Sequence, residues 1–177
     1  MRREAVAAMD FVMRRKPARP GLRPARTEDY GFARQLAFSA LRELVDQAVG
    51  WNEYRMDMNF ARQWTLSECH VITLGQRDIG WMQLRPGRAA DSLLNLFILP
   101  AYRNGGIGTW ILRRLLAKAE NQGKALTLSV VKQNRALGFY RRHGFTVTEE
   151  GPHEFTMRFE PRRSTRGVGP SMGLRRG

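Results

Sequence analysis

The chain has 177 residues, 42% of them hydrophobic and 10% aromatic, with a formal charge of +14. That length serves one domain with a sizeable core and leaves little for a second. A single cysteine excludes an intramolecular disulfide framework, and no apolar run reaches the roughly 18–20 residues of a membrane-spanning helix, so composition points to a cytoplasmic globular protein.

The charge gathers at the ends. Residues 1–20 carry six basic and two acidic side chains, and residues 161–177 carry five basic and none acidic, so these segments supply +9 of the +14. Both read as disordered basic tails around a domain at 21–160. Within it, GLRPA makes a short strand from Leu22. Thr27 reads as a helix N-cap, with Phe32, Leu36, Phe38, Leu41, Leu44 and Val45 continuing the helix. A second helix is expected over 53–66, where Tyr54, Met58, Phe60, Ala61 and Trp64 recur. Residues 70–75 and 79–84 flank Gln76-Arg77-Asp78 as a β-hairpin.

Residues 92–99, SLLNLFIL, form a short apolar run suited to a buried strand. The next helix runs to about Asn121, with Gly123 as its stop. ALTLSVV at 125–131 alternates as a strand. NRALGFYRRHG is a short helix ended by Gly144, and FTVTEE and HEFTMRF close the domain as a hairpin around Gly151-Pro152.

Gly105, Gly106 and Gly108 stand at the junction between the buried strand and its following helix. Glycine costs about 1 kcal/mol against alanine inside a helix, so a cluster there serves either a tight turn or an anion cradle. A helix start exposes unpaired N–H groups and a partial positive charge, and glycine lets a phosphate approach them. The Walker pattern fails, because Thr109-Trp110 follows Gly108. The dinucleotide fingerprint fails as well, with Ile111 in the third glycine's place.

RNGGIG followed some 25 residues later by VKQNRALGFYRRHGF resembles the GCN5-related N-acetyltransferases (GNAT) over about residues 22–159. Their signature is Arg/Gln-x-x-Gly-x-Gly/Ala, read here as Arg103-Asn104-Gly105-Gly106-Ile107-Gly108. The resemblance implies an α/β (α+β) fold: a mixed, mostly antiparallel sheet of about seven strands, splayed between the fourth and fifth, with about four helices. It implies acetyl-coenzyme A as co-substrate and no metal. The backbone from Asn104 through Thr109 would hold the pyrophosphate, and Leu96, Phe97 and Ile98 would pair with the pantetheine arm. Asn134 stands at the family's coenzyme-contacting asparagine, and equally reads as a helix N-cap.

Tyr140 stands at the place of the family's general acid. With ordinary values near 10 for a tyrosine and 8.5 for a thiol, full proton transfer to the leaving thiolate is uphill by roughly 2 kcal/mol. The hydroxyl therefore serves as a hydrogen-bond donor without having to lose its proton. The family's usual glutamates fall at Asn95 and Ser129, neither of which is a base. Water chains ending at Glu53, or His153, are the remaining candidates. VGWNEYRMDMNFARQW resembles an acceptor-side segment of some members, which would put Trp51 and Glu53 in an acceptor pocket; both also read as packing residues.

The implied activity is acetyl transfer to a primary amine of a small molecule, a peptide N-terminus or a lysine, by a monomer or homodimer. The alternative from the basic tails is a nucleic-acid-associated binding module, or an acetyltransferase acting on an RNA-bound amine.

Overall fold

The computed structural model describes residues 18–162; the expected tails at 1–20 and 161–177 lie almost wholly outside them. Seven strands form one sheet in the order β1-β2-β3-β4-β5-β7-β6. They are β1 (Pro20–Pro24), β2 (Cys69–Leu74), β3 (Arg77–Arg85), β4 (Ala90–Ile98), β5 (Ala125–Val131), β6 (Thr146–Glu150) and β7 (Glu154–Phe159). The four α-helices among the described residues are α1 (Asp29–Val49), α2 (Glu53–Gln63), α3 (Ile107–Gln122) and α4 (Ala136–Arg142). Every neighbouring pair is antiparallel except β4 and β5.

Each face of the sheet has its own core. Ile111, Leu112, Leu115 and Ala119 of α3 recur at helical spacing and pack with Ile72, Met82, Leu93, Leu126 and Met157. On the other face Ala33, Leu36, Ala37 and Phe38 of α1 close over Cys69 and Trp81, with Phe60, Trp64 and Phe97 partly buried around them.

Two β-bulges set which strand residue meets which core. Gly80 pairs with Ile72 and Asp78 with Thr73, leaving Ile79 as the extra residue and turning it to the α3 side. Gln83 pairs with Asn95 and Leu84 with Leu93, leaving Leu94 as the extra residue on β4. Gly80 is needed between these two points, since a Cβ there would stand 2.3 Å from the Phe97 carbonyl oxygen.

Several boundaries differ from the sequence expectation. Thr27 does not cap α1 through its side chain; Asp29 instead accepts from the Arg26 amide at 2.7 Å and from both terminal nitrogens of Arg23. The second helix stops at Gln63 because Trp64 is already extended, and its start is capped by Asn52, whose side chain accepts from the Arg55 amide. The β2–β3 turn is Gly75-Gln76, so Arg77 and Asp78 belong to the strand, where Asp78 pairs with Arg23.

Candidate functional site

The parallel β4–β5 pairing lasts only from Ala90–Ala125 to Leu93–Leu128. It stops at the residue before the Leu94 bulge, where a bulged strand bends and twists away from its neighbour. Beyond it the two strands diverge around a cavity of about 450 Å³. Asn95, Leu96 and Phe97 of β4 and Ser129, Val130 and Val131 of β5 line it, together with Asn134 and Tyr140.

Strand alternation decides which backbone groups reach this gap. Leu99 donates its amide to Ile79, so Phe97, two residues earlier, turns its amide and carbonyl onto Trp81 of β3. Leu96 and Ile98 therefore present their main chain to the gap. Phe97 does not; it contributes its ring, 5.6 Å from that of Trp81. The Ile98 carbonyl is engaged from outside the strand, accepting from Arg103 Nε at 2.8 Å.

At the same end of β4, α3 begins. Asn104 and Gly106 have φ of 62° and 81°, and these left-handed residues turn the chain sharply into the helix. Among the described residues, none of the amides from Asn104 to Thr109 finds a protein acceptor; the first bond of the helix is Trp110 to the Gly106 carbonyl at 2.9 Å. A Cβ on Gly106 would meet nothing within 4 Å, so the space beside that residue is open. Consecutive amides at a helix start form an anion site, and the Arg103, Arg113 and Arg114 side chains border the grooves beside Gly106.

Asn134 sits where β5 gives way to α4. Its Oδ1 accepts from the amide of Ala136, the first helical residue, at 2.9 Å, while the N-cap position itself is Arg135. Tyr140, on α4, packs edge-on against Phe139 and Phe145. Burial pushes its phenol up to about 12. It is the ionisable hydroxyl of the cavity lining, and Glu154, exposed at the start of β7, supplies its carboxylate.

Trp51 and Glu53 do not line this cavity or its neighbour. The Trp51 ring packs edge-on against Phe38, and its indole N–H donates to Glu53 at 2.8 Å. Glu53 is exposed and pairs with Arg34 and Arg42 of α1. The pair ties α2 to α1 and holds Glu53 outside the lining of both cavities. His153 is likewise exposed on the β6–β7 turn, outside the cavity lining.

A second cavity of about 170 Å³ adjoins the first. Phe38, Met56, Phe60 and Trp64 wall it, and Asn59, Gln63, Gln83 and Asn95 supply its polar groups. It shares Leu41, Gln63 and Asn95 with the first cavity. Gln83 and Gln63 had no motif to mark them. Gln83 reads as one polar residue in the apolar run IGWMQL, and only the sheet turns it inward.

Residues 65–147 match the family described as the acetyltransferase (GNAT) domain. An uncharacterized N-acetyltransferase of Bacillus subtilis (strain 168), YjcF, is 30% identical over 84 residues, 48% of this chain and 59% of that protein. The GNAT-domain match covers 83 of the chain's 177 residues, just under half. The match to YjcF spans about three-fifths of that relative's length. Solved GNAT structures carry the resemblance across the whole described fold. PaiA N-acetyltransferase of Thermoplasma acidophilum, solved in complex with coenzyme A, aligns with TM-score 0.66 at 19% identity, covering 80% of this chain and 99% of that one. An acetyltransferase of Thermus thermophilus aligns with TM-score 0.64 at 17% identity over 82% and 99% of the two chains. The ribosomal-protein-S18-alanine N-acetyltransferase of Escherichia coli gives 0.55 at 18% identity over 80% and 94%. The seven-stranded mixed sheet with its parallel β4–β5 pair is the GNAT fold.

Proposed function

We propose that this GNAT-fold protein is an acetyl-coenzyme A-dependent N-acetyltransferase in which a primary amine attacks the thioester directly. One observation carries the reading: β4 parts from β5 beside six unpaired amides, and the opening is lined by a half-buried tyrosine. A coenzyme is long and bears a pyrophosphate at one end and a thioester at the other. The amides of Asn104–Thr109 suit the pyrophosphate, with Arg103 adding charge. Leu96 and Ile98 suit the amide groups of the pantetheine arm, which would extend the sheet across the gap. Asn134 lies along the same path.

The Tyr140 hydroxyl stays protonated at neutral pH, so it can donate to the sulfur as the carbon–sulfur bond breaks. The net reaction moves one proton from the amine nitrogen to the thiol as the carbon–nitrogen bond forms. A cysteine-bound acetyl intermediate has no support. Cys69, the sole cysteine of the chain, is buried away from both cavities, and burial pushes its thiol up to about 11.

The acceptor class is open between small amines, peptide N-termini, lysines and RNA-bound amines. Release of free thiol from acetyl-coenzyme A across such a panel tests the activity, with calorimetry reporting coenzyme binding separately. Binding without turnover on any amine would make the fold a coenzyme-binding module; no binding would remove the assignment.

A further inference from the structure

Asn95 stands where the resemblance puts a family glutamate, and its hydrogen bonds fix which way its amide faces. The chain of reasoning starts at Gln83, which is 1% exposed. Gln83 Nε2 donates to the Gln63 carbonyl at 2.8 Å and to Glu68 Oε2 at 2.9 Å. A carbonyl and an ionised carboxylate can only accept, so Gln83 cannot be turned round. The Arg85 guanidinium, bonded to Glu68 Oε1 at 2.9 Å, holds that carboxyl below the usual carboxylate range and keeps it charged. Gln83 Oε1 must then accept, and it takes Asn95 Nδ2 at 3.0 Å. Left over are one Nδ2 hydrogen and the acceptor Oδ1 of Asn95, a residue common to the linings of the thioester-side and aromatic cavities.

Resting on the acetyltransferase reading, we infer that Asn95 Oδ1, aimed by Gln83 and Glu68, accepts an N–H of a neutral incoming amine and selects amines of low basicity with an apolar neighbour. The aromatic cavity has no ionisable side chain in its lining. A cation entering it would lose hydration without gaining a counter-ion, so the amine must shed its proton first. That step grows harder as the amine's own pKa rises. An α-amine near 7.8 is about one-third neutral at pH 7.5, whereas a lysine ε-amine near 10.4 is about a thousandth neutral. Phe38, Met56, Phe60 and Trp64 then favour an apolar group beside the nitrogen.

In the reaction the neutral nitrogen forms its bond to the acetyl carbon and the carbon–sulfur bond breaks. The nitrogen's surplus proton leaves to water through the open thioester-side cavity, and Tyr140 protonates the sulfur and is replenished from that water. The titratable groups facing this space are Tyr140 from α4 and Glu154 from β7, with Glu68 behind Gln83.

The test compares leucinamide with Nα-acetyl-lysinamide on the full chain, reading kcat/KM against pH. Expected is a preference for leucinamide on the order of a hundredfold at pH 7.5, each profile rising to that amine's own pKa. Asn95→Leu should lower kcat/KM for leucinamide about tenfold while acetyl-coenzyme A affinity holds, and Asn59→Asp, which places a carboxylate in the aromatic cavity, should narrow the preference at least about tenfold by offering the ammonium a counter-ion. A profile midpoint shared by both amines and abolished by Glu154→Gln would give the proton to Glu154 and overturn the inference. An unaltered kcat/KM in Asn95→Leu, or an unaltered preference in Asn59→Asp, would overturn it too. Thiol release from neither amine, despite coenzyme binding, would overturn the acetyltransferase reading and this inference with it.

Discussion

Arg103 Nε donates to the Ile98 carbonyl at 2.8 Å, joining the last residue of β4 to the loop that opens α3. The bond spans the two places a coenzyme would use, the strand edge and the amide cradle. A pyrophosphate at the cradle offers the guanidinium a stronger, charged acceptor and frees the carbonyl for the pantetheine arm. Arg103→Ala should therefore weaken coenzyme affinity only about tenfold, since the lost ion pair is partly offset by a carbonyl no longer covered. Titrations at rising salt should show a shallower dependence in the variant than in the parent. Equal salt dependence would leave Arg103 a purely structural bridge.

Gly106 has φ of 81° and open space around its missing side chain. Gly106→Glu should cost about 1–2 kcal/mol of stability through the left-handed backbone alone. Its carboxylate would stand before the amide cradle, so calorimetry should show coenzyme binding lost while circular dichroism stays native-like. Retained affinity would remove the cradle from the coenzyme site.

Tyr140→Phe keeps the ring against Phe139 and Phe145 and removes the hydroxyl. The expected loss is roughly 10²–10⁴-fold in kcat with acetyl-coenzyme A affinity nearly unchanged. Because burial holds the phenol near 12, activity should show no fall from tyrosine ionisation below about pH 10. A kcat equal to the parent's, with chemistry limiting, would make Tyr140 a packing residue.

Arg23 holds Asp29 with bonds of 2.7 and 2.9 Å at the start of α1, and the carboxyl is kept below its usual range by that contact first. A carboxyl whose pKa is lower in the folded state stabilises the fold above its unfolded pKa, and that stability is lost as pH falls through the folded value. Asp29→Asn should cost about 2 kcal/mol at pH 7, measured by urea unfolding. The gap between parent and variant should close as pH drops below about 4. A gap constant down to pH 2 would mean the charge contributes nothing.

A chain of residues 21–160 should fold and release thiol as the full protein does, because the motifs and both cores lie within it. It forgoes the pairing of Pro20 with Leu74 and the Arg162 amide's bond to Glu120, so a fall of a few degrees in Tm is expected. Removing nine net positive charges should sharply weaken any RNA binding and flatten its salt dependence. Turnover lost with coenzyme affinity intact would show that the tails recruit the acceptor.

Much of this protein is local in its sequence. The apolar spacing of Ile111, Leu112, Leu115 and Ala119, the alternation of ALTLSVV and the stop at Gly123 each depend on neighbours within a few residues. The RNGGIG cradle is equally local, since a helix start and a left-handed glycine suffice to expose its amides. What pairing across the sheet decides could not be read this way. A bulge is one residue's slip against a partner strand, and the slip at Leu94 against Gln83 and Leu84 of β3 is where β4 leaves β5 and where Asn95 comes to line both cavities. Phe97 lost its expected main-chain role because alternation commits its amide and carbonyl to Trp81. Trp51 and Glu53 matched an acceptor-side segment in sequence, but Arg34 and Arg42, both on a different helix, claim that carboxylate. The polar lining instead comes from Asn59, Gln63, Gln83 and Asn95, four amides on three elements. No motif joins them, because hydrogen bonds between distant strands and helices exist only once the sheet has set their register.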